Sequence, residues 1–235
     1  MTLEVRGLSV AFGGNKALDD FDIDVPAGAV YGLIGPNGAG KSTAVNAMTG
    51  IQRAVSGSVK VKGREVLGLP PAKILHAGLA RTFQQAQLWA GMTVQQNLTV
   101  PLLSAGRRVA NHRADEVAEM FGITHLLQEP APLLPYGARR LVEVSRAMMT
   151  KPHIVMLDEP GAGLTPNEKS ELRTALGTLT ESDCSVLLID HDMELVMTAC
   201  SQLTVLDAGQ VLAVGTPDEV RSNQHVIDAY LGVGL

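Results

Sequence analysis

The sequence lacks the features of a membrane-spanning, secreted or disulfide-bonded protein. Its apolar runs are short, Ile154–Leu157 and Ser185–Ile189 among the longest, and a membrane helix needs ~20 apolar residues. The first residues, Met-Thr-Leu-Glu-Val-Arg, have no basic start followed by an apolar stretch, so no signal peptide is predicted. Two cysteines, Cys184 and Cys200, are too few for a disulfide framework and have no metal-ligand companions at useful spacing. These absences predict a soluble, cytosolic protein.

The chain also lacks an excess of basic residues. Nineteen Lys and Arg against 24 Asp and Glu give a formal charge of −5, which provides no electrostatic case for nucleic-acid binding. Hydrophobic residues make up 46% and charged residues 18%, with a mean hydropathy of +0.14, and this composition excludes disorder. At 235 residues, against a prior of ~150 per domain, we expect one large domain or a core with one subdomain.

Strand and helix patterns alternate along most of the sequence. Leu3–Phe12 and Leu18–Val25 alternate apolar and polar residues around a Gly13-Gly14-Asn15 turn, which predicts two antiparallel strands. Residues from Leu98 to Gln128 have helical spacing instead and predict a helical subdomain. The remaining predicted strands are Ala29–Ile34, Ile154–Leu157, Val186–Ile189 and the hairpin Gln202–Leu206 with Val211–Val214, and the remaining predicted helices are Ser42–Thr49, Asn167–Leu179, Met193–Cys200 and one starting at Thr216-Pro217. This alternation predicts an α/β fold with a mostly parallel sheet.

Residues 35–42, Gly-Pro-Asn-Gly-Ala-Gly-Lys-Ser, match the full G-x-x-x-x-G-K-[ST] pattern. The motif follows a predicted buried strand and precedes a predicted helix, which is where backbone N–H groups can cradle phosphates. Lys41 would neutralise the β- and γ-phosphates, and the Ser42 hydroxyl would ligate Mg²⁺. A glycine-rich turn without function is the weaker interpretation. The nucleotide-binding residues predicted from this loop are Gly35, Asn37, Gly38, Ala39, Gly40, Lys41, Ser42 and Thr43.

Asp158 and Glu159 follow the buried apolar strand Ile154–Leu157. An aspartate at the end of a core strand can reach Mg²⁺ beside a phosphate loop, and the next carboxylate can orient or deprotonate a water. By itself an Asp-Glu pair usually marks a strand that meets solvent. Together with the phosphate loop it predicts a nucleoside triphosphatase.

These motifs together resemble the ATP-binding-cassette (ABC) transporter ATPases, over essentially the whole chain. The resemblance implies a P-loop NTPase core of the RecA type (1–84 and 151–235) with an N-terminal antiparallel β subdomain, and a helical subdomain inserted at about 85–150. It implies ATP and Mg²⁺ as ligands, with Mg²⁺ held by Ser42, Gln84 and Asp158. His191 matches the histidine that contacts the γ-phosphate, and Gln84 matches the glutamine that senses Mg²⁺ and the attacking water. Phe12 matches the aromatic residue that stacks on adenine, although a core Phe at a strand end is the alternative.

Five segments narrow the resemblance to the ATPase subunits of branched-chain amino-acid and amide (urea-type) importers. They are Phe12-Gly-Gly, Gly78–Gln84, Met92–Leu98, Asp190–Val196 and Val226–Gly232. Such subunits work with transmembrane permease subunits, indirectly with an external solute-binding protein, and lie peripherally on the cytoplasmic face of the membrane. Residues 84–89 are expected to border the groove for a permease helix, with Trp89 either an exposed anchor there or a buried core residue.

The signature segment departs from the pattern of this family. Where the family has Leu-Ser-Gly-Gly-Gln, or Leu-Ser-Tyr-Gly-Gln in this branch, the chain has Leu134-Pro135-Tyr136-Gly137-Ala138. Pro135 removes the hydroxyl that contacts the γ-phosphate of ATP on the other subunit, and Ala138 removes an amide. Proline fits the first turn of a helix, so we expect the helix from Gly137 onward, with exposed N–H groups, to persist. Thr165 replaces the usual Asp or Asn of the next motif.

One phosphate loop in the chain implies that two cassettes must pair, because this family sandwiches each ATP between the phosphate loop of one subunit and the signature of the other. The signature residues that this chain would offer to ATP on the other subunit are Pro135, Tyr136 and Gly137. A homodimer would therefore carry two weakened ATP sites. We therefore favour a heterodimer with one fully competent site, and a homodimer is the alternative.

Other functions fit the sequence less well. A nucleotide-gated, weakly catalytic cassette paired with an active one is the strongest alternative, although the retention of Glu159 and His191 argues against it. A soluble ABC-type ATPase of DNA repair or translation would need long insertions or tandem cassettes. A P-loop kinase or GTPase would not need Gln84, Pro135–Gly137 and His191 together, and no guanine-reading Asn-Lys-x-Asp string occurs.

Overall fold

The computed structural model describes residues 1–84 and 87–231. In chain order the strands are β1 (Leu3–Phe12), β2 (Asn15–Val25), β3 (Val30–Ile34), β4 (Ser56–Val61), β5 (Arg64–Glu65), β6 (Leu79–Arg81), β7 (Ile154–Asp158), β8 (Ser185–Ile189), β9 (Gln202–Asp207) and β10 (Gln210–Gly215). The helices are α1 (Lys41–Met48), α2 (Pro71–His76), α3 (Val94–Thr99), α4 (Arg107–Met120), α5 (Tyr136–Ala147), α6 (Pro166–Glu181), α7 (Met193–Ala199), α8 (Pro217–Ser222) and α9 (Gln224–Leu231).

Two sheets organise the fold. The larger sheet has the strand order β10-β9-β3-β8-β7-β6, with parallel pairing from β9 to β6 and an antiparallel edge at β10. The smaller sheet has the order β2-β1-β4-β5 and is antiparallel throughout. The predicted α/β fold, with a mostly parallel sheet and an N-terminal antiparallel unit, is therefore confirmed.

The central strands of the larger sheet are buried on both faces. In β7, Val155 and Leu157 belong to one hydrophobic core, whereas Ile154 and Met156 belong to a second core. Successive side chains of a strand point to opposite faces, so one strand supplies both cores. This arrangement explains why these strands are continuously apolar rather than alternating.

The second core lies between the two sheets and includes α1. Val5, Phe21 and Val59 of the smaller sheet pack there with Val45 and Met48 of α1. The first core carries helices of the region from α3 to α6, and Leu98, Val117, Val142 and Leu176 represent them. The helix that follows the phosphate loop therefore packs between the two sheets.

The region predicted to be helical contains α3, α4 and α5, joined by short 3-10 turns at Val100–Ala105, Thr124–Leu126 and Ala131–Leu133. The division of the chain into a core of 1–84 and 151–235 and a helical subdomain at about 85–150 stays a prediction. Among the helices of residues 1–84 and 87–231, none has both the length and the apolar character that crossing a membrane requires.

Residues 50–84 contain β4, β5, α2 and β6, which the sequence patterns did not predict. The backbone is in the left-handed region at Gly57 (φ 119°) and Lys62 (φ 48°). Regular strand geometry is therefore interrupted within β4 and directly after it. All four elements are short, and β4, β5 and α2 are also partly exposed, so their apolar periodicity is weak. Elsewhere the predicted elements are present, with boundaries shifted by at most three residues.

Candidate nucleotide-binding site

The phosphate loop connects β3 to α1 and depends on its glycines. Gly38 and Gly40 have φ of 81° and 107°, in the region that favours glycine. A Cβ on Gly35 would lie 2.0 Å from the Leu206 carbonyl oxygen, so no larger residue fits there. Gly40 is the N-cap residue of α1 and has no side chain with which to cap it. The first amides of α1 therefore remain available to an anion, favoured by the helix dipole.

Lys41 places its charge inside this loop. Its Nζ donates to the carbonyl oxygens of Gly35 at 2.6 Å and Pro36 at 2.9 Å. Burial lowers the pKa of Lys41, while the carboxylates of Glu159 and Asp158 act in the opposite direction. The lysine is therefore within electrostatic reach of both carboxylates, as a shared phosphate site requires.

Asp158 is the last residue of β7 and is 8% exposed. Burial raises the pKa of its carboxyl, and the nearby guanidinium of Arg81 opposes that rise. Arg81 Nη2 donates to Asp158 Oδ2 at 3.2 Å. Arg81 also donates to Asn46 Oδ1 at 2.8 Å and to Thr49 Oγ1 at 3.2 Å, so it ties Asp158 to α1 and its C-cap residue.

Glu159 stands on strained backbone at the end of β7. Its φ is 48°, a left-handed conformation that is uncommon for a residue with a side chain. Its N–H donates to the Ile189 carbonyl oxygen at 2.7 Å, which fixes the turn against β8. The Glu159 carboxylate lies beside two other predicted residues.

Gln84 and His191 converge on the same carboxylate oxygen. Gln84 Nε2 donates to Glu159 Oε2 at 2.7 Å, and His191 Nδ1 lies 3.7 Å from that atom. The His191 side chain is 62% exposed, so it can meet a ligand from the solvent side. The structure therefore brings to Glu159 two predicted residues that lie 75 and 32 positions from it along the chain.

Asp190, the residue before His191, fixes the turn that presents the histidine. Asp190 is 1% exposed, and its two oxygens accept from the N–H groups of Gly161 at 2.8 Å and Asp192 at 3.0 Å. One buried carboxylate thus holds the segment after Glu159 to the segment around His191.

An arginine of α5 holds the backbone that carries Gln84. Arg140 is 2% exposed and donates to the carbonyl oxygens of Phe83, at 3.0 Å, and of Gln84. The same guanidinium donates to Tyr136 Oη and Glu143 Oε2, each at 3.2 Å. Burial raises the pKa of Glu143. Arg140 therefore connects the signature tyrosine to the glutamine of the candidate site.

The helix of the signature segment persists in spite of Pro135, as predicted. Pro135 is the N-cap residue, and α5 starts at Tyr136. The expectation of exposed N–H groups is wrong for Gly137, which is buried and donates to Glu168 Oε1 at 3.0 Å. Because Pro135 cannot cap the helix with a side chain, a carboxylate from α6 satisfies this amide instead.

Thr165 is engaged within its own helix. It is the N-cap residue of α6 in a capping box with Glu168, and its Oγ1 donates to Glu168 Oε2 at 2.8 Å. Its hydroxyl is thus committed to local structure.

Phe12 and Trp89 are exposed, at 53% and 46%. The alternative that either is a core residue is therefore wrong. Phe12 ends β1, and Trp89 packs beneath Arg146, with 4.9 Å from the guanidinium carbon to the ring centroid. Gln85 and Ala86 of the predicted groove segment lie outside the described residues, as does Gly232 of the tail.

The donor set suits Mg²⁺ better than a transition metal. In the part of the chain that the structure describes, no three His, Cys, Asp or Glu side chains cluster as they do around a bound metal. Ser42 is exposed in the first turn of α1, Asp158 supplies a carboxylate, and Gln84 an amide oxygen. Such hard oxygen donors are typical of a magnesium ion that shares its ligands with phosphates.

Sequence reasoning missed several residues that shape the site. Arg81, Arg140 and Asp190 act through contacts between distant segments, and no local pattern marks them. Glu168 had a signal, because Thr165-Pro-Asn-Glu168 matches the capping-box spacing. That pattern predicts the bond to Thr165 but not the bond to Gly137.

Comparison with known proteins gives family matches over most of the chain. Residues 18–162 match the family described as ABC transporter. Residues 210–235 match the family described as branched-chain amino acid ATP-binding cassette transporter.

Similar proteins span nearly the full length. The chain is 40% identical to the high-affinity branched-chain amino acid transport ATP-binding protein BraF of Pseudomonas aeruginosa, covering 98% of the chain and 97% of that protein. It is 38% identical to LivG of Escherichia coli, which has the same description and coverage. It is 31% identical, again with the same coverage, to the lipopolysaccharide export system ATP-binding protein LptB of Haemophilus influenzae.

Solved structures share the fold. A crystal structure of the ADP conformation of an ATP-binding cassette of an ABC transporter superposes with a TM-score of 0.91 at 31% identity, covering 98% of both chains. A nucleotide-free ATP-binding cassette from an ABC transporter gives a TM-score of 0.90 at 30% identity, covering 97% of this chain and 98% of the other.

Proposed function

This chain belongs to the ABC transporter family, and we propose that it hydrolyses ATP to power the uptake of branched-chain amino acids through partner membrane subunits. The observation that carries the chemistry is the convergence of Gln84 and His191 on Glu159, one residue beyond Asp158. The names of the relatives, at 38–40% identity, support the solute class.

ATP binding rests on the phosphate loop in this proposal. The backbone amides of residues 38–43 surround the β- and γ-phosphates, and Lys41 turns its charge from the loop carbonyls to the phosphate oxygens. Mg²⁺, held by Ser42, Asp158 and Gln84, would neutralise charge that develops on the phosphates. Phe12, exposed at the end of β1, stacks on the adenine ring.

Hydrolysis rests on the residues around Glu159. The Glu159 carboxylate orients a water and accepts its proton. Gln84 holds that carboxylate through Oε2, and His191, on the exposed side of the carboxylate, contacts the γ-phosphate. The buried Asp190 keeps both segments in register.

Coupling to a membrane subunit rests on a groove beside the site. The groove, about 240 Å³, is lined in part by Ile51, Leu75, Leu79 and Phe83. Ile51 and Phe83 are 52% and 37% exposed, which suits the apolar face of a permease helix. Arg81 also lines the groove and pairs with Asp158. A helix bound in the groove would therefore be connected to the candidate site through the Arg81 side chain.

The pairing state we propose is a heterodimer at the cytoplasmic face of the membrane. Pro135 supplies no hydroxyl, and the Gly137 amide is bound to Glu168. A different cassette with an intact signature would complete the site that contains Lys41, Glu159 and His191.

The test is reconstitution with the permease subunits of a branched-chain amino-acid importer from the same genome. We expect the chain to co-purify with them from detergent-solubilised membranes and to support ATP-dependent leucine uptake into proteoliposomes, which Glu159→Gln abolishes. Recovery only as a free ATPase would support a soluble enzyme instead. Uptake that persists in the Glu159→Gln complex would support a gating subunit beside an active cassette.

A further inference from the structure

Glu168 joins the starts of two helices. Its Oε1 accepts from the Gly137 N–H at 3.0 Å, and its Oε2 accepts from the N–H and Oγ1 of Thr165, both at 2.8 Å. These hydrogen bonds, those from Thr165 first, lower the pKa of Glu168. The side chain therefore stays ionised and bridges the signature segment to the segment that follows Glu159.

The contact with Gly137 is close as well as polar. A Cβ built on Gly137 would lie 2.4 Å from Glu168 Oε1, so the carboxylate rests directly on the glycine backbone. An anion at this place is favourable because it meets an early amide of α5, near the positive end of the helix dipole. The early amide and the positive end of the helix dipole would also attract a phosphate oxygen. A carboxylate and a phosphate cannot share one N–H.

We propose that Glu168 is a positioning residue that occupies the Gly137 amide and so keeps this chain's signature segment from binding ATP held on a second cassette. This inference rests on the proposed function, since it concerns the paired state. In the proposed heterodimer Glu168 removes the Gly137 amide from the ATP site to which this chain contributes its signature segment. In a homodimer it must be displaced from both sites before either closes.

The chain contains a matched control for this role. Thr216-Pro-Asp-Glu219 forms the same capping box at α8, in which the N–H and Oγ1 of Thr216 donate to Glu219 Oε2 at 2.8 and 3.0 Å. Glu219 lies far along the chain from the signature and caps only its own helix in the described contacts. Glu168→Ala and Glu219→Ala thus remove similar caps, but only the first releases Gly137.

The experiment measures ATP-dependent self-association of the purified full chain. Glu159→Gln serves as the background, so that hydrolysis does not limit the complex. Sedimentation velocity at several protein concentrations, with and without ATP, gives the dimer dissociation constant. A fluorescent ATP analogue gives the affinity of the single chain for nucleotide, and thermal unfolding verifies the fold.

We expect Glu168→Ala to tighten the ATP-dependent dimer by about tenfold or more, the effect of one charge-assisted hydrogen bond. Glu219→Ala should leave it unchanged. Glu168→Gln, which keeps the length of the side chain and removes its charge, should act in the same direction and guards against misfolding of the alanine variant.

The proposal is overturned if neither Glu168 variant strengthens the dimer, or if Glu219→Ala strengthens it equally. A complete absence of dimer in every variant also overturns it, because freeing the amide then has no effect. Failure of the single chain to bind the nucleotide analogue would instead overturn the proposed function, so the two failures are distinguishable.

Discussion

The side-chain amide of Gln84 donates to the Glu159 carboxylate across 2.7 Å, although 75 positions separate the two residues. Glu159 directly follows β7 of the larger sheet, whereas Gln84 lies where the chain leaves that sheet toward α3. A displacement of the helical region therefore reaches the carboxylate through one hydrogen bond. In the proposed function, this hydrogen bond would connect the motion of a partner bound at the groove to the chemistry at Glu159.

Glu159→Gln should leave ATP binding intact and remove most turnover. Glutamine keeps the size of the side chain but cannot accept a proton from water, and general-base catalysis contributes about 10²- to 10⁴-fold. Titration with a fluorescent ATP analogue measures ATP binding, and the rate of phosphate release measures turnover. Unchanged turnover would remove Glu159 from the mechanism.

Gln84→Ala should lower kcat by on the order of tenfold, because one hydrogen bond to a charged group is lost near the reacting water. The matched control is Gln87→Ala, on the same segment and exposed. Steady-state kinetics with Mg²⁺ and ATP distinguish the two. An equal loss in the control would indicate a general effect on the segment.

Arg81→Met should move the acid side of the pH–activity profile to higher pH. Arg81 lowers the pKa of Asp158 against the raising effect of burial. Without Arg81 that pKa rises further, so the carboxylate form that would hold Mg²⁺ in the proposed site is lost at a higher pH as the solution is acidified. The measurement is kcat/KM between pH 5 and 9.

The control for this profile is Arg113→Met, which removes a partly buried arginine that pairs with Glu116 on α4. Its acid limb should match that of the unaltered chain. A profile for Arg81→Met that coincides with the control would show that Arg81 does not set the protonation of Asp158.

Pro135→Ser should raise the ATPase activity of the chain alone by on the order of tenfold, since it restores a hydroxyl donor for phosphate on a second copy. Pro132→Ser, three residues earlier and exposed, should have no such effect. Vigorous activity of the unaltered homodimer, without a second cassette, would contradict the heterodimer.

Arg140→Met should destabilise the fold by roughly 3 kcal/mol, because it leaves the Glu143 carboxylate buried without its partner. Adding Glu143→Leu should recover most of that loss, as an apolar pair needs no charge compensation. The midpoint of urea unfolding measures both. Failure of the second substitution to recover stability would show that the Phe83 backbone contact, rather than the charge pair, dominates.

The sequence allowed the sheet core and the phosphate site to be predicted because both have local signals. β7 and β8 are continuous apolar runs, and the Gly35–Ser42 pattern specifies its own backbone geometry. Gln84 and His191 were predictable only through the family resemblance, because their own neighbours along the chain carry no such signal.

Contacts between distant segments could not be predicted in this way. The Arg81–Asp158 pair spans 77 positions, and the bond from Gly137 to Glu168 spans 31. Each depends on how strands and helices pack, which no local periodicity encodes. The expectation of free amides at Gly137 failed for this reason, since the missing cap at Pro135 is compensated from another helix.

The left-handed backbone of Glu159, with φ of 48°, lowers the stability of the fold at a residue that the proposed hydrolysis requires. A side chain in this conformation costs about 1–2 kcal/mol relative to glycine. A glycine at position 159 would relieve this strain and raise the free energy of unfolding. It would also remove the carboxylate that accepts a proton from water. Stability and the proposed catalysis therefore place opposite demands on position 159.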